Sequence, residues 1–120
     1  MLVSTAMSKK SGSEPPGPAR PDLDALRQQL WQWVNAIPEG RVATYGQLAK
    51  LAGAPAMSRF VGRVMSELPK GTQLPWHRVI SGSGAITNPN VTEQARRLRA
   101  EGVLVSNGRR VSLARYAWEP

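Results

Sequence analysis

The chain of 120 residues has no cysteine and a single histidine, His77. The first absence excludes disulfides, thiolate metal sites and cysteine nucleophiles together, and it accords with a cytosolic setting. Acidic residues are scarce where basic ones gather: between Arg41 and Tyr116 only Glu67, Glu93 and Glu101 stand against twelve lysines and arginines. One histidine and three scattered carboxylates make no metal-ligand cluster, so no metal, no cofactor and no catalytic residue is expected. No apolar run approaches the length needed to span a bilayer. The opening Met1–Met7 is too short for a signal-peptide core, and its basic pair, Lys9 and Lys10, follows it. The expected location is the cytoplasm, with no membrane partner.

The formal charge is +8, the isoelectric point is near 11.1, and twelve of the sixteen basic residues are arginine. A folded region with this balance attracts a polyanion, and the arginine fork suits bidentate phosphate contacts better than lysine does. The length allows one compact domain. Residues 8–21 are dominated by Ser, Gly, Pro and charge, so residues 1–21 read as a flexible N-terminal tail and 22–120 as the folded domain.

The fold is expected to be mostly α with a few short β strands. Asp22 is a plausible N-cap for a helix on which Leu23, Leu26, Leu30, Trp33, Val34 and Ile37 share a face, closed by Pro38. Trp31 lies off that stripe, at the edge of the core. Thr44 and Gln47 have capping-box spacing for a short helix that ends at Gly53. Pro55 is expected near the first position of a third helix running to about Leu68. A short helix, a turn and a longer helix make a helix-turn-helix. Asn90 and Glu93 read as the capping pair of a fourth helix, ended by Gly102. Beyond it Asn107-Gly108 is a strong hairpin signal between 103–106 and 109–113, which suggests a wing. Tyr116 and Trp118 are expected to pin the C-terminal segment to the core.

Two stretches carry the chemistry. On the third helix Met57, Phe60, Val61, Val64, Met65 and Leu68 fall on one side, while Arg59, Gly62, Arg63 and Ser66 gather on the other. A face of two arginines around small residues lets a phosphodiester backbone or a narrow groove come close. The second stretch is Pro75-Trp76-His77-Arg78, where a tryptophan offers a flat apolar surface but neither a nucleophile nor a base.

From Ile37 to Arg78 the sequence resembles the DNA-binding domain of the O6-alkylguanine-DNA alkyltransferases. The shared features are the Ile-Pro-Glu-Gly turn, Thr44-Tyr45-Gly46, Leu48-Ala49, Ala52-Gly53-x-Pro55, Arg59-x-Val61-Gly62 and Pro-x-His-Arg-Val. The resemblance extends over roughly residues 25–105 and implies a winged helix-turn-helix of the alkyltransferase C-terminal type. Those enzymes hold a cysteine where this chain has Trp76, so transfer of an alkyl group to the protein is not available here. Tryptophan at that place is similar to the alkyltransferase-like branch of the family. It implies non-enzymatic recognition of O6-alkylguanine in duplex DNA, with the lesion passed to nucleotide excision repair proteins by a monomer.

The resemblance also implies roles. Such a base lies inside the stack and is inspected only by extruding its nucleotide. Tyr45 crowds the target phosphate, Arg59 fills the vacated place in the stack, and the recognition helix, with Gly62, Arg63 and Ser66, enters the minor groove. Trp76, with Tyr45, His77, Arg78, Val79 and Ser81, forms the alkylguanine pocket, and 81–90 is its other wall. His77 and Glu101 match a relay that persists as structural hydrogen-bonding groups. Two departures bear on adduct range: no basic residue lies near Pro89, and Ser81 replaces a common asparagine. Two other functions compete: a winged-helix regulator that reads sequence without flipping a base, and a glycosylase or nuclease.

Overall fold

Asp22 opens the first helix, α1 (Leu23–Ala36), by accepting from the Asp24 and Ala25 amides at 3.1 and 3.2 Å. The structure, a computed structural model, describes residues 22–120, so the tail expected over 1–21 lies outside the described residues. Leu26, Leu30, Val34 and Ile37 are buried as their spacing predicts. Leu23 is not: residues 22–25 are all exposed, because the first turn of α1 overhangs the core. Trp31 and Trp33 pack at the core margin.

After the turn at Pro38–Arg41 the chain extends into β1 (Ala43–Thr44), which pairs in parallel with β2 (Val79–Ile80), Ala43 opposite Val79 and Thr44 opposite Ile80. Successive strand residues point to opposite faces. Val79 therefore joins the apolar cluster built by α1, α2 and α3, while Ile80 joins a second one with Leu98, Val103, Val111 and Tyr116. This two-residue ladder is the seam between the two halves of the core.

The helix-turn-helix forms from α2 (Tyr45–Leu51) and α3 (Ser58–Ser66). Two details differ from expectation. The Thr44 hydroxyl caps the Gln47 amide at 3.1 Å, but the Gln47 side chain does not return the bond; its amide donates to the Trp118 carbonyl at 2.9 Å. Helix α3 begins at Ser58, not Pro55, because Pro55 serves the turn closed by the Met57 amide on the Ala54 carbonyl at 2.9 Å. It ends at Ser66, short of Leu68.

The fourth helix, α4 (Val91–Ala100), is not capped by the Asn90–Glu93 pair. Asn88 turns the chain by accepting from the Asn90 amide, and the Glu93 carboxylate is taken by Arg96 and Arg97. The hairpin expected over 103–113 contracts to a turn. The Arg109 amide closes it on the Ser106 carbonyl at 2.9 Å, with Arg109 in the left-handed region at φ 59°. The second arm turns away to pair with 84–86: the Val111 amide donates to the Gly84 carbonyl at 2.8 Å and the Ile86 amide to the Arg109 carbonyl at 3.0 Å. Gly84 has φ +85°, and a Cβ there would sit 2.6 Å from the Val111 carbonyl oxygen, so only glycine fits. Leu113, expected at the end of the second hairpin arm, instead opens a short helix, α5 (Leu113–Tyr116).

The C-terminal segment is tied down as expected. Val42 donates to the Tyr116 carbonyl and accepts from the Trp118 amide, at 2.9 and 2.8 Å, and the Trp33 and Trp118 rings lie 6.3 Å apart. The result is a mostly helical domain with a small two-stranded sheet.

Candidate nucleic-acid interface

Helix α3 divides cleanly. Phe60, Val61, Val64 and Met65 are buried, while Arg59, Arg63 and Ser66 are exposed. Among the described residues the Arg59 and Arg63 side chains enter no ion pair. The Ser66 hydroxyl donates back to the Arg63 carbonyl at 2.9 Å, which keeps it small and close to the helix. Gly62 faces the Tyr45 ring, and a Cβ there would meet it at 3.5 Å, an ordinary contact. Tyr45, first residue of α2, thus lies against α3, and its hydroxyl is 3.2 Å from the Thr87 hydroxyl. It links α2, α3 and the 81–90 loop.

Trp76 lies on a single 3-10 turn, Trp76–Arg78, directly ahead of β2. Only 8% of it is exposed, and it packs in the first core cluster. Its remaining edge belongs to a cleft of about 320 Å³ bounded by the end of α3 at Met65 and Ser66, the loop 68–72, Asn90, and Glu93 and Arg97 of α4. That volume is at the small end of ligand sites. The Arg97 guanidinium stands 5.4 Å from the centre of the Trp76 ring, a cation-on-face arrangement.

The other residues expected at this pocket stand elsewhere. His77 and Val79 are buried, and Ser81 bonds the Ser83 hydroxyl at 2.9 Å within its own turn. Tyr45, His77, Arg78, Val79 and Ser81 do not line the cleft; Trp76 and Ser66 do.

His77 and Arg78 converge instead on Glu101. One carboxylate accepts from His77 Nε2 at 2.6 Å, from Arg78 Nε and a terminal nitrogen at 3.0 and 2.8 Å, and from the Gly40 amide at 3.1 Å. Arg78 also donates to the Ile37 carbonyl at 2.7 Å. Burial pushes the Glu101 carboxyl up, but the bonds from Arg78, His77 and Gly40 outweigh it and hold the group at about 2. Burial lowers His77 below its ordinary value, against the pull of Glu101. A neutral His77 therefore donates Nε2–H to Glu101, and its buried Nδ1 has no partner among the described residues. This hub ties the 38–41 turn, the Trp76 turn and the end of α4 together.

Sequence reasoning missed two residues here. Gln94 is fully buried and donates one amide to the carbonyls of both His77 and Val79, at 3.0 and 2.8 Å, clamping the backbone beside Trp76. Its signal was a polar residue inside the apolar stripe of Val91, Ala95 and Leu98. Arg97 carries its own signal, a spacing of four residues from Glu93 on one helix, which favours a pair. Among the described residues no group of histidine and carboxylate side chains is placed to hold a metal ion, and no helix is long and apolar enough to cross a membrane.

Residues 25–103 match the family model described as 6-O-methylguanine DNA methyltransferase, DNA binding domain. The chain is 46% identical to the DNA base-flipping protein of Escherichia coli over 98% of each chain. It is 36% identical to alkyltransferase-like protein 1 of Schizosaccharomyces pombe over 82% of this chain and 98% of the relative. Its fold superposes on the crystal structure of S. pombe Atl1 in complex with damaged DNA containing O6-carboxymethylguanine with a TM-score of 0.76, at 34% identity, covering 81% of this chain and 97% of the other.

Proposed function

The chain belongs to the family of 6-O-methylguanine DNA methyltransferase DNA-binding domains, and on that premise we propose that it recognises O6-alkylguanine in duplex DNA without removing the alkyl group. Helix α3 seats in the minor groove, with Arg59 and Arg63 toward the phosphates. Tyr45, fixed between α3 and Thr87, crowds the phosphate of the target nucleotide. As the nucleotide rotates outward, Arg59 takes its place in the stack, where a planar guanidinium can face bases while its charge stays near the backbone. The extruded base enters the cleft beside Trp76.

The single observation that carries this reading is Trp76 at the wall of that cleft in a chain with no cysteine. The position at which the related enzymes hold their alkyl acceptor carries here the edge of an apolar ring, and His77 beside it is neutral, buried and bonded to Glu101. The site can hold an alkylated base but has no thiolate to accept the alkyl group. The protein therefore acts as a monomeric damage sensor in the cytoplasm, on the nucleoid if the source is bacterial. It leaves the adduct for nucleotide excision repair proteins.

The test is a titration of matched duplexes with and without one O6-methylguanine, followed by analysis of the recovered DNA. The expected result is tighter binding of the damaged duplex and an intact adduct. Equal binding of both duplexes would favour the sequence-reading regulator, and loss of the adduct or strand would favour an enzyme. Binding should weaken steeply with salt, because phosphate contacts displace condensed counterions.

A further inference from the structure

The cleft beside Trp76 is not electrically neutral. Three titratable groups line it: Lys70, Glu93 and Arg97. Glu93 is committed twice, accepting from Arg96 and from Arg97 Nε at 2.7 Å each, and those bonds hold its carboxyl at about 2. Its charge is thus more than balanced by its own partners. Arg97 spends only Nε on Glu93; among the described residues its two terminal nitrogens make no hydrogen bond. The same guanidinium is held 5.4 Å from the Trp76 ring centre, over the face of the ring at the cleft's edge.

We propose that Arg97 is a specificity-determining residue: with Lys70, it makes this cleft favour O6 substituents that carry an anionic group, a carboxyalkyl chain in particular. The proposal rests on the lesion-binding function argued above. A methyl group asks only for apolar contact with Trp76. A carboxylate at the end of a short chain would otherwise lose its hydration on entering the cleft, and arginine's terminal nitrogens form a fork matched to it. Glu93 positions that fork by fixing Nε, as an (i, i+4) partner does on a helix. The cation comes from α4, whereas the 81–90 loop supplies none.

The experiment uses the full chain and four duplexes identical except at one residue: guanine, O6-methylguanine, O6-carboxymethylguanine and O6-carbamoylmethylguanine. The last two have the same size and differ in charge. The unaltered chain should bind the carboxymethyl duplex about fivefold tighter than the carbamoylmethyl one, as expected for a partly desolvated charge pair. In R97Q that ratio should fall close to one, and R97K should restore part of it. The ratio cancels any general loss of DNA affinity. A ratio of one or less in the unaltered chain overturns the proposal. So does a ratio that survives in R97Q while all four duplexes weaken equally, which would assign Arg97 to a phosphate. Indifference among all four, guanine included, would instead remove the lesion-binding function itself.

Discussion

Arg78, within the Trp76 turn, and Arg59 with Arg63 on α3 stand under opposite conditions, and the contrast separates charge that builds the domain from charge left for a ligand. Arg78 is nearly buried and bonded to Glu101 and to the Ile37 carbonyl. Arg59 and Arg63 are exposed on α3 and enter no ion pair among the described residues. A buried cation without its carboxylate would be strongly destabilising, so Arg78 and Glu101 are bound to each other energetically. An exposed cation without a partner costs the fold little and keeps its full attraction for phosphate. Arg97 stands between these cases, half committed to Glu93 and half open to the cleft.

This division is open to test, and the largest expected effect is on the hub. Glu101→Gln should cost about 3 kcal/mol in chemical denaturation, because it leaves Arg78 and His77 facing a neutral amide. Lesion affinity per folded molecule should change by no more than about twofold. A binding loss as large as the stability loss would break the division.

Acid should probe the same hub. His77 and Glu101 both have folded values below their ordinary ones, so the unfolded chain binds more protons and stability falls as pH falls. The decline should begin below 6.5 with His77 and continue from 4.5 toward 2 with Glu101. The Glu101 part should amount to about 2 kcal/mol after solvent screening. The urea midpoint followed against pH would show it, with a flatter acid limb in Glu101→Gln.

On the open side, Arg59→Ala should weaken binding of a damaged duplex about tenfold, the worth of one stacked group, and change stability by about 0.5 kcal/mol or less. Damaged-duplex binding that matches the unaltered chain would sink the intercalating role. The smallest effect belongs to Arg63→Ala. The slope of log affinity against log salt should become shallower by about one unit, on damaged and undamaged DNA alike. An unchanged slope would place Arg63 away from the phosphates.

What was legible in the sequence was what local periodicity and capping decide. The Asp22 cap, the split face of α3 and the stops at Gly53 and Gly102 depend on neighbours within a turn or two, and the structure bears them out. The readings that failed lost a competition with another partner, distant in the chain for Gln47 and the hairpin arm and one helical turn away for Glu93. Gln47 gave up its capping bond for the Trp118 carbonyl, and Glu93 left Asn90 for two arginines. The second hairpin arm kept only the bond from the Ser106 amide to the Arg110 carbonyl and otherwise found 84–86. At the site, Trp76 was visible through a family pattern that marks one position. The cleft's charge was not, because Lys70, Glu93 and Arg97 come together only once α4 is laid beside the α3 exit.

Gly84 has a consequence for genetics. Its positive φ and the Val111 carbonyl 2.6 Å from any added Cβ leave no room for a side chain, at a place that touches neither α3 nor the cleft. In a saturation library selected for survival of alkylation damage, codon 84 would be as depleted as codons 59 and 76. Ranked by phenotype alone it would pass for part of the lesion-binding surface. A parallel screen for protein abundance would tell them apart, since substitutions at 84 remove the protein and those at 59 leave it present but with weakened hold on damaged DNA.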